Sequence, residues 1–139
     1  MFRKILVAND GSPGGVAALA SALDLAKQLA VGLEMICVEE LPRFPASIDE
    51  VSEAQSDAFS FYDAVVGAAK AKAAAAGVSF KAHVVTGHPV SSIAEFVQAG
   101  RYDLLVVGFM GHSALYNRII GGTADRLVRF APCKVMVVK

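Results

Sequence analysis

The stretch Ile5-Leu6-Val7-Ala8-Asn9-Asp10-Gly11-Ser12-Pro13 decides the fold. Its first four residues form an unbroken apolar run, the pattern of a strand buried on both faces of a parallel sheet rather than one facing water. Asn9-Asp10-Gly11 breaks the run. Ser12 is a good helix N-cap, and Pro13 suits the first helical position. Val16, Leu19, Ala20 and Leu23 then recur at i, i+3, i+4 and i+7, which predicts a helix packing one stripe on a sheet and fading near Gly32.

Outward from this unit the alternation repeats. Glu34–Val38 reads as a second strand. An irregular excursion with Pro42 and Pro45 follows, and Ser47 with Glu50 has capping-box spacing. A long alanine-rich helix with Phe59, Tyr62, Val65, Val66 and Ala69 on one side then runs to Gly77, a C′ residue. Val78–Val85 is the third strand. Pro89 opens a short helix with Ile93, Phe96 and Val97 inward, closed by Gly100. Leu104–Val107 is a second unbroken apolar run. After a long loop, a helix spans about Thr123 to Phe130, and Val135–Val138 is the last strand. A β-α-β-α-β-α-β-α-β order implies an α/β fold, one doubly wound parallel sheet with helices on both faces. Right-handed crossovers leave few topologies, and two central, fully apolar strands favour the order 3-2-1-4-5.

Composition narrows the classes further. The 139 residues carry 13 Lys+Arg and 13 Asp+Glu, without blocks of like charge, so a nucleic-acid-binding surface is not expected. Mean hydropathy is high, at +0.50. The longest uncharged stretches, Gly11–Leu23 and Leu104–Asn117, nevertheless fall short of the roughly 20 residues that span a bilayer. No apolar leader is apparent after Met1. Cys37 and Cys133 lack metal-ligand spacing and sit beside apolar residues, which fits core thiols in a reducing cytoplasm.

In a sheet of this order, winding reverses between strands one and four, and ligands bind at the carboxyl ends of the strands flanking that point. The residues there are Ala8, Asn9 and Asp10 on one side and Gly108-Phe109-Met110-Gly111 on the other. The second turn continues through His112 to Gly121-Gly122-Thr123, which enters a helix. Glycines admit a ligand without a Cβ in the way, and free amides at a helix start favour phosphate. The Thr123 hydroxyl and the Arg118 charge would add to this, and His112 is a further candidate near the phosphates. The three histidines, His83, His88 and His112, are too scattered for a metal site. The bland alternative is that the glycines only shape a loop.

Gly108-x2-Gly111-x9-Gly121 is similar to the nucleotide-loop spacing of the universal stress protein family. The resemblance extends to Lys4–Ser12, to the turn Gly87-His88-Pro89, and to the segment Ala124–Cys133, and so covers essentially the whole chain, residues 1–139. It implies a flavodoxin-like or Rossmann-like single domain, usually a homodimer. Members divide into those that bind ATP through this loop and those that do not, and the loop resembles the binding type. By position Asp10 would lie near the adenosine, Val38 would offer backbone contacts to adenine, and Gly108, Gly111, Gly121 and Gly122 would surround the phosphates. Two departures stand out. The family commonly has Ser or Thr where this chain has Gly122, and often a basic residue where it has Met110.

The expectation is thus an ATP-binding stress-response protein, with Mg²⁺ on the triphosphate, pairing through Val135–Val138, whose apolar edge needs a partner. Turnover would be slow at most. A dimeric interaction module that binds no ATP is the alternative. A phosphorelay receiver fits poorly, because Asn9 stands beside Asp10 where an acidic pair belongs and Thr86 follows strand three. A dehydrogenase fits poorly too, because no G-x-G-x-x-G follows strand one.

Overall fold

A computed structural model describes residues 1–40, 48–110 and 120–139, with the side chains of 48, 51, 54 and 55 outside that description. The elements are β1 (Ile5–Ala8), α1 (Pro13–Leu29), β2 (Leu33–Glu39), α2 (Ile48–Ala76), β3 (Phe80–Thr86), α3 (Pro89–Gly100), β4 (Leu104–Gly108), α4 (Gly122–Phe130) and β5 (Lys134–Val138). All five strands are parallel, in the order β3-β2-β1-β4-β5. This is the doubly wound α/β sheet expected.

Successive side chains of a strand point to opposite faces, so each apolar run feeds two cores. Ile5, Val7, Met35 and Val106 pack with Leu19, Ala22 and Ala69 beneath α1 and α2. Leu6, Ile36, Val38 and Leu105 pack with Ile93, Val97 and Leu127 beneath α3 and α4.

Two details differ from the sequence reading. The buried stripe of α1 is Gly15, Ala18, Leu19, Ala22, Leu23 and Ala26. Val16 is 38% exposed and Ala20 faces out. The helix is turned so that its smallest residues meet the sheet, which lets the backbones approach. Phe59, expected inward, is 72% exposed. A 29-residue helix is about 44 Å long, far longer than a seven-residue strand, and its first turns overhang the sheet. As expected, α3 closes at Gly100, and Arg101 after it takes the left-handed conformation, at φ 55°. Gly100 is needed for another reason: a Cβ there would overlap the Tyr102 ring.

Cys37 is fully buried, but Cys133 is only half-buried. Burial, reinforced by the charge of Asp10, pushes the Cys37 thiol up to about 12. No helix among the described residues is long and apolar enough to cross a membrane. The expected cap Ser47 and the candidate residues Gly111, His112 and Arg118 lie outside the described residues.

Candidate functional site

At the carboxyl end of β1 the chain makes a tightly bonded turn. The Asn9 N–H donates to the Ile36 carbonyl at 3.0 Å, which carries β1 pairing one residue further. The Asn9 side chain is buried, accepts from the Gly11 N–H at 2.9 Å and donates to the Met35 sulfur at 3.6 Å. The Asp10 carboxylate accepts from the Ser12 N–H at 3.0 Å and from the Ser12 hydroxyl. Ser12 in turn accepts from the Gly15 N–H at 3.2 Å, the N-cap contact of α1. Gly11 closes the turn at φ +81°, where a side chain would be strained.

The turn leaving β4 packs against this one, backbone to backbone. A Cβ on Gly14 would overlap the Met110 carbonyl, and one on Gly108 would overlap the Gly14 carbonyl. Gly108 is therefore explained by the approach of α1 to β4, before any ligand is considered. Beyond it, the Phe109 N–H donates to the Val138 carbonyl at 2.7 Å, and the Gly121 N–H donates to the Phe109 carbonyl at 2.8 Å. These bonds pin the two ends of the glycine loop together at the rim of the sheet.

Gly121 is the N-cap of α4, in ordinary extended geometry, and supplies no capping side chain. The first intrahelical bond runs from the Asp125 N–H to the Gly121 carbonyl at 2.9 Å. The amides of Gly122, Thr123 and Ala124 precede it, in the turn that no helix can satisfy internally. With the helix dipole they form an anion-favouring end.

Between the two turns lies a cavity of about 350 Å³. Ala8, Asn9, Asp10, Val38, Gly108, Gly121, Gly122 and Thr123 all line it, so the structure brings together every candidate residue that it describes. Ile36, Ile93, Val107 and Leu127 make its apolar floor and walls, surface suited to a flat ring. The charged groups lining it, among the described residues, are the carboxylates Asp10 and Glu40. Met110 stands at the rim where the family often has a cation. A Cβ on Gly122 would meet nothing within 4 Å, so a hydroxyl side chain there would fit.

Val38 presents more than a side chain. Alternate residues of a strand turn their N–H and C=O to the same edge. Ile36 faces β1, as its bond from Asn9 shows, so Val38 faces the same way, past the point where β1 ends. Its carbonyl accepts from the Tyr62 hydroxyl of α2 at 3.0 Å. Burial first, then the neighbouring Cys37, Asp10, Glu40 and Glu39, push the Tyr62 phenol up to about 12. It therefore stays a protonated donor at physiological pH. The sequence reading counted Tyr62 only as one of a core-facing stripe. The usable signal was a phenol on an otherwise apolar stripe, because a buried Tyr hydroxyl needs a partner.

The remaining histidines serve elsewhere. His83 bonds Glu34 at 2.7 Å at the far end of the sheet, and His88 occupies the N-cap of α3 without a side-chain cap bond. Among the described residues no cluster of three metal-ligating side chains occurs.

Comparison with known proteins agrees with this architecture. The chain is 28% identical over 144 residues to a universal stress protein of Methanocaldococcus jannaschii, covering 100% of this chain and 83% of that one. The solved structure of the universal stress protein UspA from Lactobacillus plantarum superposes with a TM-score of 0.88 at 23% identity, covering 99% and 98% of the two chains. A universal stress protein family protein from Arabidopsis thaliana, with AMP bound, gives a TM-score of 0.71 at 20% identity over 99% and 91%. At these identities the structural likenesses speak to the fold. The model of the universal stress protein family itself matches residues 1–139. The chain belongs to the universal stress protein family.

Proposed function

We propose that residues 1–139 form one nucleotide-binding domain that holds ATP in the cavity between β1 and β4 and acts as a dimeric stress-response regulator. The observation that carries this reading is the meeting of three unlike surfaces in one cavity of about 350 Å³. They are the open first turn of α4, the polar turn at Asp10, and an apolar slot ending on the Val38 edge. A phosphate chain, a ribose and a base ask for these three in sequence. The AMP bound by the Arabidopsis thaliana protein, on the same fold, is consistent with it.

In this reading the amides of Gly122, Thr123 and Ala124 hold the terminal phosphates, with the Thr123 hydroxyl as a further donor. Gly111, His112 and Arg118 would add contacts from the loop. Asp10 and Asn9 orient the ribose side, and Ala8 and Val38 border the base. Both charged groups described in the lining are acidic, so a bare triphosphate would be repelled. Mg²⁺ carried on the phosphates offsets that repulsion. The role is one of binding, with turnover slow at most.

The outer edge of β5, unpaired among the described residues, supports pairing with a second copy through Val135–Val138. Free thiols at Cys37 and Cys133 accord with a reducing cytoplasm. The reading is tested by calorimetry on refolded, nucleotide-free protein. Saturable binding of Mg-ATP supports it, and no heat at millimolar ATP overturns it. The second reading, a dimeric interaction module without ATP, draws on Gly122 and Met110. It predicts that protein purified natively releases no nucleotide on denaturation.

A further inference from the structure

Tyr62 comes from α2, outside both switch-point turns, yet its hydroxyl reaches the Val38 backbone edge at the apolar side of the cavity. The ring is held from several sides. Phe61 stacks edge-on to it with centroids 5.0 Å apart, and the Phe61 tip lies over Gly11, where a Cβ would come within 2.6 Å. A phenol has one hydrogen and two acceptor positions. Its hydrogen is committed to the Val38 carbonyl, so it offers a lone pair. Beside it, the Val38 N–H is a donor on the same edge.

Resting on the nucleotide reading above, we propose that Tyr62 determines which base the cavity accepts. The Val38 amide and the Tyr62 oxygen form a donor–acceptor pair that matches a ring nitrogen without hydrogen flanked by an exocyclic amine, the edge of adenine. A base with a protonated ring nitrogen beside a carbonyl, as in hypoxanthine or guanine, sets donor against donor and acceptor against acceptor. Turning the hydroxyl to serve such a base would strip the Val38 carbonyl of its bond, and a buried acceptor left unpaired is costly.

The test uses three 5′-monophosphates on nucleotide-free protein: AMP, purine riboside monophosphate (which lacks the amine), and IMP. The wild type is expected to bind AMP about fivefold more tightly than purine riboside monophosphate, and IMP at least tenfold more weakly than AMP, as one buried hydrogen bond and one mismatch imply. Tyr62→Phe keeps the ring and removes the hydroxyl. It should weaken AMP to the purine riboside level and leave purine riboside monophosphate unchanged. Equal loss of both ligands, or of neither, would reduce Tyr62 to a packing residue and overturn the proposal. IMP binding as tightly as AMP to the wild type would overturn it without recourse to any variant. If none of the three binds the wild type while Mg-ATP does, this proposal falls alone; if Mg-ATP fails to bind as well, the nucleotide reading falls and this proposal with it.

Discussion

Each end of the sheet has a tyrosine hydroxyl donating to an oxygen of β2, and the two ends use it in opposite ways. At the amino end, Tyr102 donates to the Glu34 carboxylate at 2.9 Å, and the same oxygen takes His83 at 2.7 Å. Phe96 stacks on Tyr102 with centroids 5.7 Å apart, and Lys4 sits 4.6 Å above the Tyr102 ring while bonding the Gly100 carbonyl. Asp103 receives the Arg3 and Lys4 amides at 2.8 and 3.1 Å. The polar side chains there are paired with one another or with neighbouring backbone, beside a smaller cavity of about 260 Å³. At the carboxyl end, Tyr62 meets a backbone carbonyl at the wall of a cavity that the first turn of α4 also lines. Saturated polar groups hold a fold together, whereas oriented backbone groups facing an open volume are available to a ligand.

The contrast is broken most severely at Gly14. Gly14→Ala places a methyl group against the Met110 carbonyl, a backbone atom that cannot step aside. A loss of about 3 kcal/mol is expected, lowering Tm by roughly 10 °C, because overpacking at a rigid contact costs that much. Gly122→Ala, in open space, should leave Tm within about 2 °C, since surface changes away from such contacts are nearly neutral. Equal melting shifts for the two would contradict the packing described.

Tyr102→Phe should cost about 1.5 kcal/mol, by loss of a hydrogen bond to a charged acceptor, without changing nucleotide affinity. Burial pushes the Glu34 carboxyl up, but hydrogen bonds from His83 and Tyr102 and the charges of His83 and Lys4 outweigh it, so it lies below its ordinary range. A carboxyl lowered in the fold stabilises while ionised. The Tyr102 contribution should therefore be complete at neutral pH and fade as the pH falls below the ordinary glutamate value of about 4.3 and through the lower folded value. Denaturant unfolding of wild type and variant across pH 3 to 7 checks this (about the span over which a carboxyl titrates). A pH-independent difference would remove Glu34 from the explanation.

The smallest effect sharpens the carboxyl end. Gly122→Ser adds a hydroxyl at the first turn of α4 with room for it, and should tighten ATP about fivefold, one hydrogen bond's worth. Unchanged or weaker binding would place the phosphates elsewhere.

Much of this was readable in advance where one physical cause dominated. The runs Ile5–Ala8 and Leu104–Val107 are apolar at every residue because helices cover both faces of the central strands, and this alone indicated strand order and switch point. Patterns with two competing causes misled. Val16 and Phe59 are apolar at helical spacing, yet one is turned out by the alanine stripe of α1 and the other overhangs the sheet. Gly100 does end α3, as its place in the sequence suggested, and it also leaves room for the Tyr102 ring. At the site, glycine spacing and turn chemistry marked both rims of the cavity. Tyr62 went unnoticed because its partner, the Val38 carbonyl, is a backbone atom 24 positions away, which no local pattern encodes.

If the two ends differ as described, the carboxyl end holds the ligand and the amino end does not. Amide ¹H–¹⁵N spectra recorded during titration of nucleotide-free protein with Mg-ATP test it most directly. Progressive, saturable shifts are expected at Asp10, Val38, Gly122, Thr123 and Ala124, with Glu34, His83 and Tyr102 unmoved. Shifts centred on the amino-end cluster, or none at millimolar ATP, would contradict it.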